Sequence, residues 1–91
     1  MEKQDRKKYE VPLTMLKDGQ VGIITSIKAG SGKGGGFGFK KRLMDMGLTP
    51  GTKVIVVKSA PFHGPLEILV RGSRLALGRG MAERIFVEIE E

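Results

Sequence analysis

Hydrophobic positions in this chain recur at two spacings, and the switches between them divide it into elements. Val21, Ile23, Thr25 and Ile27 alternate with smaller or polar residues, the period-two pattern of a half-buried strand that Lys28 ends. Phe39, Leu43 and Met46 then stand at i, i+4 and i+7, which predicts a helix over residues 39–46. At about two turns it is too short to persist alone and must be held by packing. Lys53 to Ser59 follows as a strand built on Val54-Ile55-Val56-Val57, and Ala60 to Pro65 as a loop. In Leu66 to Arg71, Leu66, Ile68 and Val70 share one face and Glu67, Leu69 and Arg71 the other. Gly72-Ser73 reads as a two-residue hairpin turn, with Arg74 to Leu77 as the returning strand. After Gly78-Arg79-Gly80, a helical turn at Met81 to Arg84 leads into a last strand in which Ile85, Val87 and Ile89 face inward. Five short strands with turns between them predict a mainly β fold. A small barrel is the expected form, with a short helix between the first two strands, because closure would remove exposed edges.

The helix carries its own stop signal. With Gly47 as the first residue past the helix, Leu48 falls where a Schellman motif places a hydrophobic contact to the third-last helical residue, Leu43. Thr49-Pro50-Gly51-Thr52 then puts proline where φ is pre-set and glycine where φ must be positive, the requirements of a type II turn.

A chain of 91 residues fits one domain. Met1 to Glu10 is polar, of mixed charge and without period, and reads as a disordered tail running on to residue 12, ahead of a domain spanning residues 13–91. Ala29 to Gly38 is glycine-rich and reads as a mobile loop. Within it Gly30-Ser31-Gly32-Lys33-Gly34-Gly35 matches a G-x-G-x-x-G pattern, but no second βαβ unit or correctly spaced carboxylate supports a dinucleotide site, and Gly34 after Lys33 breaks the P-loop pattern. With no cysteine there is no disulfide framework or thiolate metal site, and a cytoplasmic location is the expectation. No apolar run approaches a membrane span and the first ten residues lack a signal-peptide core, so no direct membrane insertion is expected. Membrane association would have to come through a partner or through charge.

Charge is uneven. The chain carries +6 overall, and between Lys28 and Lys58 seven basic residues, Lys28, Lys33, Lys40, Lys41, Arg42, Lys53 and Lys58, face Asp45 alone. This suggests one face suited to nucleic acid, anionic lipid or an acidic protein surface. Lys40, Lys41 and Arg42 fall at the start of the predicted helix, where the macrodipole disfavours cations, which marks them as partner-contact candidates. An i, i+4 pair of Lys41 with Asp45 would soften that cost. His63 is the only histidine and the methionines are scattered; Met15, Met44, Met46 and Met81 read as core filler. No cofactor, metal or catalytic constellation can be assembled from one histidine, no cysteine and dispersed acids.

Taken together, Arg42-Leu43-Met44-Asp45-Met46-Gly47-Leu48-Thr49-Pro50-Gly51-Thr52, then Ala60-Pro61-Phe62, Val70-Arg71-Gly72 and Leu75-Ala76-Leu77, resemble the ferrous iron transport protein A (FeoA) family, from about Leu13 to Ile89. The resemblance implies an SH3-like barrel without catalysis of its own, working in bacterial cytoplasm beside a membrane ferrous-iron transporter that carries a GTPase domain. It matches Arg42 to the arginine of the family's Arg-Leu motif. It makes the helix and turn the expected docking surface: Lys40, Lys41, Arg42, Met44, Asp45, Leu48, Thr49 and Pro50. The chain departs from the family at His63-Gly64, where glycine and aspartate are common, and in a longer glycine-rich loop. A basic barrel that binds nucleic acid is the alternative, though stacking aromatics are sparse. Whether the domain forms a weak homo-oligomer is left open.

Overall fold

The computed structural model describes residues 10–28 and 37–90. In chain order these form β1 (Glu10–Pro12), a 3-10 turn (Leu13–Met15), β2 (Val21–Ile27), α1 (Phe37–Asp45), β3 (Lys53–Ser59), β4 (Leu66–Val70), β5 (Ser73–Leu77), α2 (Arg79–Ala82) and β6 (Ile85–Glu90). All pairings are antiparallel, in one sheet of order β1-β6-β2-β3-β4-β5.

The mainly β expectation holds, with six strands rather than five. Pairing begins at Glu10, opposite Glu88, and continues through Pro12, opposite Phe86, so the folded part starts before Leu13. Pro12 is tolerated because β1 lies at the end of the ladder, where a missing N–H breaks no pairing. The Glu10 carboxylate also accepts hydrogen bonds from the hydroxyls of Thr25 and Ser26, fastening β1 to its sheet. The other end of the ladder is β5. Register shifts at Ile24/Ser26 in β2 and Val56/Lys58 in β3 bend these strands, and the sheet wraps one apolar core.

That core is aliphatic. Leu13, Ile24, Leu43, Leu48, Val54, Val56, Leu66, Ile68, Leu77, Ile85 and Val87 are all essentially inaccessible, each worth roughly 1.5 to 3 kcal/mol of burial. The face of β2 is opposite to the expected one. Gly22 and Ile24 point inward, and the shift after Ile24 brings Ile27 in as well. The glycine is required there: a Cβ on Gly22 would sit 2.9 Å from Val87 Cγ2 and 3.2 Å from Leu16 Cδ1. Met46 and Met81 pack on the core as expected, but Met15 and Met44 are 63% and 42% exposed.

The β4–β5 hairpin turns one residue earlier than expected. Val70 pairs with Ser73, leaving Arg71 and Gly72 as the turn with φ of 52° and 80°, the two positive values a type I′ turn demands. This register sets buried Leu66 opposite buried Leu77, where the expected turn would have set Leu77 opposite Ile68. The last helical turn likewise starts earlier, at Arg79, and buries Ala82. In the β3–β4 loop, Phe62 and His63 adopt φ of 58° and 61°, a left-handed conformation costing bulky side chains on the order of 1 to 3 kcal/mol each. Residues 29–36, where the mobile glycine-rich loop was expected, and the tail over 1–9 lie outside the described residues, as do the side chains of Phe37 and Phe39.

Candidate functional site

The helix stop forms as its sequence dictates. The Leu48 N–H donates to the Leu43 carbonyl at 3.0 Å and the Gly47 N–H to the Met44 carbonyl at 3.0 Å, the two bonds of a Schellman motif, with Gly47 at φ 95°. The Thr52 N–H donates to Thr49 O at 3.0 Å with Gly51 at φ 91°, closing the type II turn. Two further bonds stitch this turn to β2, from Gly51 N–H to Ile24 O at 2.7 Å and from Ile24 N–H to Thr52 O at 2.9 Å. The helix end and the turn are therefore one rigid platform beside the end of β2.

On that platform Lys40, Met44 and Pro50 converge with Thr25, Ser26 and Ile27 around a hollow of about 180 Å³. Three of the residues expected to contact a partner are thus brought together, from two elements. Lys41 and Asp45 form the expected i, i+4 pair at 3.5 Å on the exposed helix face, where such pairs contribute little to stability. Arg42 is exposed, and among the described residues neither it nor Lys40 is held by a hydrogen bond or ion pair to another.

Two of the expected contact residues serve the platform from below. Leu48 is fully buried with Leu43, so its side chain cannot meet a partner. Thr49 is half-buried and shares a hydrogen bond with the Thr52 hydroxyl at 2.9 Å. The electrostatic ground for choosing the helix start also changes. Because α1 begins at Phe37, two residues earlier than expected, Lys41 and Arg42 lie beyond the first turn, and Arg42 stands in the last turn, where the dipole favours a cation.

Arg71 belongs to this region and was not among the expected contacts. Its guanidinium donates to Thr52 Oγ1 at 3.3 Å, and its Cδ lies 3.4 Å from where a Cβ on Gly47 would stand. Only the register β3–β4, which sets Val70 beside Val54, brings the hairpin turn next to Thr52. The described basic residues between Lys28 and Lys58 differ in their surroundings. Lys28 stacks on Phe86 at 4.8 Å, Lys53 pairs with Glu90 at 3.6 Å, and Lys58 sits toward the far end of β3. Among the described residues, no group of three or more His, Cys, Asp or Glu side chains gathers to hold a metal ion.

The architecture and sequence match known proteins. A family model described as the FeoA domain matches residues 11–89. A Methanocaldococcus jannaschii protein bearing the name Fe(2+) transport protein A is 38% identical over 80 residues, spanning 88% of each chain. A crystal structure of an iron uptake regulatory protein (FeoA) superposes with a TM-score of 0.77 at 38% identity, over 90% of this chain and 100% of that one. The fold is the SH3-like one of these structures. A manganese-dependent transcriptional repressor also superposes, with a TM-score of 0.76 over 93% of this chain and 44% of its own. At 18% identity that likeness is one of fold alone.

Proposed function

This chain belongs to the FeoA domain family, and from that premise we propose that it is a non-catalytic accessory protein of Fe(2+) uptake that docks on a membrane ferrous-iron transporter of the FeoB type. It works in the cytoplasm, peripheral to the membrane through that transporter, and modulates the transporter's assembly or GTPase cycle. The observation that carries the docking site is the platform itself. Lys40, Met44 and Pro50 surround one hollow on a backbone locked by the Schellman bonds, the type II turn and the stitches to Ile24. A partly exposed methionine beside an unengaged lysine and arginine, on an element that loses little freedom on binding, suits an apolar and acidic partner surface.

The absence of catalysis in this reading rests on chemistry. The one histidine lies exposed on the β3–β4 loop and the chain has no cysteine, so no activated nucleophile can be assembled around it. The nucleic-acid alternative is weakened because Lys41 and Lys53 are paired with Asp45 and Glu90 and stacking aromatics are sparse.

An amide NMR titration of the labelled protein with the GTPase portion of its cognate transporter, at physiological salt, tests the proposal. Shifts centred on residues 40–52 and 71–72 are expected. No shifts at saturating partner would rule out docking on that portion.

A further inference from the structure

We propose that the β3–β4 loop, residues 60–65, is a second docking surface whose occupant is the headgroup layer of an anionic lipid bilayer. Phe62 at its tip is 93% exposed, the most exposed large apolar side chain among the described residues. Its backbone is at φ 58° and that of His63 at φ 61°, so the loop holds an aromatic ring away from the protein in a conformation that bulky residues avoid. A solvated phenylalanine gains nothing from such a posture by itself.

The loop is also firmly built. The Ala60 N–H donates to Pro65 O at 3.0 Å, the Gly64 N–H to Pro61 O at 3.1 Å, and Arg79 Nε to Gly64 O at 3.3 Å. Gly64 is needed for this closure, since a Cβ there would come within 2.8 Å of the Ala60 Cβ. Presenting the ring therefore costs little ordering when it binds.

Charge selects the occupant. Lys58 and Arg74 line a groove of about 410 Å³ beside the loop, together with Ala60 and Pro65, and Arg79 adds a third cation through its contact with Gly64. Arg74 and Glu67 offset each other as an ion pair at 2.8 Å, and the Asp18 carboxylate accepts from the Ser59 N–H at 3.1 Å, so the positive balance beside the loop rests on Lys58 and Arg79. An exposed ring flanked by cations matches an anionic bilayer surface, which takes an aromatic side chain at headgroup depth and attracts lysine and arginine at the same time. The loop lies at the other end of β3 from the 49–52 turn, about 20 Å away for a strand of this length, so both surfaces can be occupied together. That simultaneous use rests on the proposed transporter docking; the lipid contact does not.

The chain has no tryptophan, so Phe62→Trp places a single fluorescent reporter at the tip. The full chain is mixed with vesicles of phosphatidylcholine, with or without one quarter phosphatidylglycerol, at physiological salt. We expect a blue shift and quenching by brominated acyl chains with the anionic vesicles only. In flotation assays Phe62→Ala should bind these vesicles about tenfold more weakly than the unaltered chain, with an unchanged circular dichroism spectrum. Equal binding by Phe62→Ala, or no binding to anionic vesicles, overturns the proposal. So does an emission shift seen only with the transporter's soluble GTPase portion, which would assign the ring to a protein pocket. Because the vesicles contain no transporter, failure here leaves the helix-platform titration untouched, and the reverse also holds.

Discussion

Arg71 reaches from the β4–β5 turn to Thr52, its guanidinium donating to the threonine hydroxyl at 3.3 Å, and so ties the hairpin to the platform that carries the candidate docking residues. It does so from a left-handed backbone at φ 52°, where glycine would be more comfortable. The side chain and the backbone thus pull in opposite directions. Arg71→Ala loses the hydrogen bond and keeps the strain, and should cost about 1 kcal/mol in urea unfolding. Arg71→Gly loses the same bond but relieves the backbone, and should cost measurably less. A glycine variant as unstable as the alanine variant would show that the φ of 52° carries no strain.

Gly47 tests the same junction from the helix side. At φ 95°, any L side chain is strained by roughly 1 to 2 kcal/mol. The nearest neighbour of an added Cβ is Arg71 Cδ at 3.4 Å, an ordinary contact. Conformation, not space, therefore sets the cost of Gly47→Ala. The double variant with Arg71→Ala should be no more stable than the two single effects predict, and a clear rescue in thermal melts would contradict this.

Gly22 is the opposite case, in which space decides. Its missing Cβ makes room for Val87, whose Cγ2 would be only 2.9 Å away, and both residues lie in strands with little freedom to shift. Gly22→Ala should cost about 1 to 3 kcal/mol through overpacking. In the Val87→Ala background the Cγ2 clash is gone, but the Cβ of residue 87 stays 3.0 Å away and Leu16 Cδ1 3.2 Å away, so the cost should fall only in part. A double-mutant cycle in urea reads this coupling, and additivity would place the strain elsewhere.

These sites mark where the sequence could be read and where it could not. The Gly47 stop and the Pro50-Gly51 turn were legible because each needs a particular φ that few residues supply, and that need is local. The face of β2 was not, because period-two counting treats Gly22 as a spacer, whereas the fold uses it as the core-facing position beneath Val87. Strand β1 was missed for a related reason. Glu10, Val11 and Pro12 have no pattern of their own, and what makes them a strand is β6 alongside and the Thr25 and Ser26 hydroxyls that hold the Glu10 carboxylate. Of the site, the helix residues were visible, but the hollow they share with Thr25, Ser26 and Ile27 depends on a packing angle no local signal encodes.

Met44 and Leu48 separate docking from stability, because they stand four residues apart with opposite exposures. Leu48 is wholly inside the core and Met44 is 42% exposed at the rim of the hollow. Leu48→Ala should cost about 2 to 5 kcal/mol of stability, as cavity-forming substitutions do, and weaken partner binding only as far as it unfolds the protein. Met44→Ala should leave stability within about 0.5 kcal/mol and weaken binding of the transporter's GTPase portion several-fold, as measured by calorimetry. Salt provides the last discrimination. If the contact is mainly apolar with Lys40 and Arg42 at its edge, raising ionic strength should weaken it modestly, through screening of those two exposed cations. A nucleic-acid ligand would instead lose affinity steeply through counterion release. A steep log-log salt slope, with Met44→Ala behaving like the unaltered chain, would transfer the function from protein docking to polyanion binding.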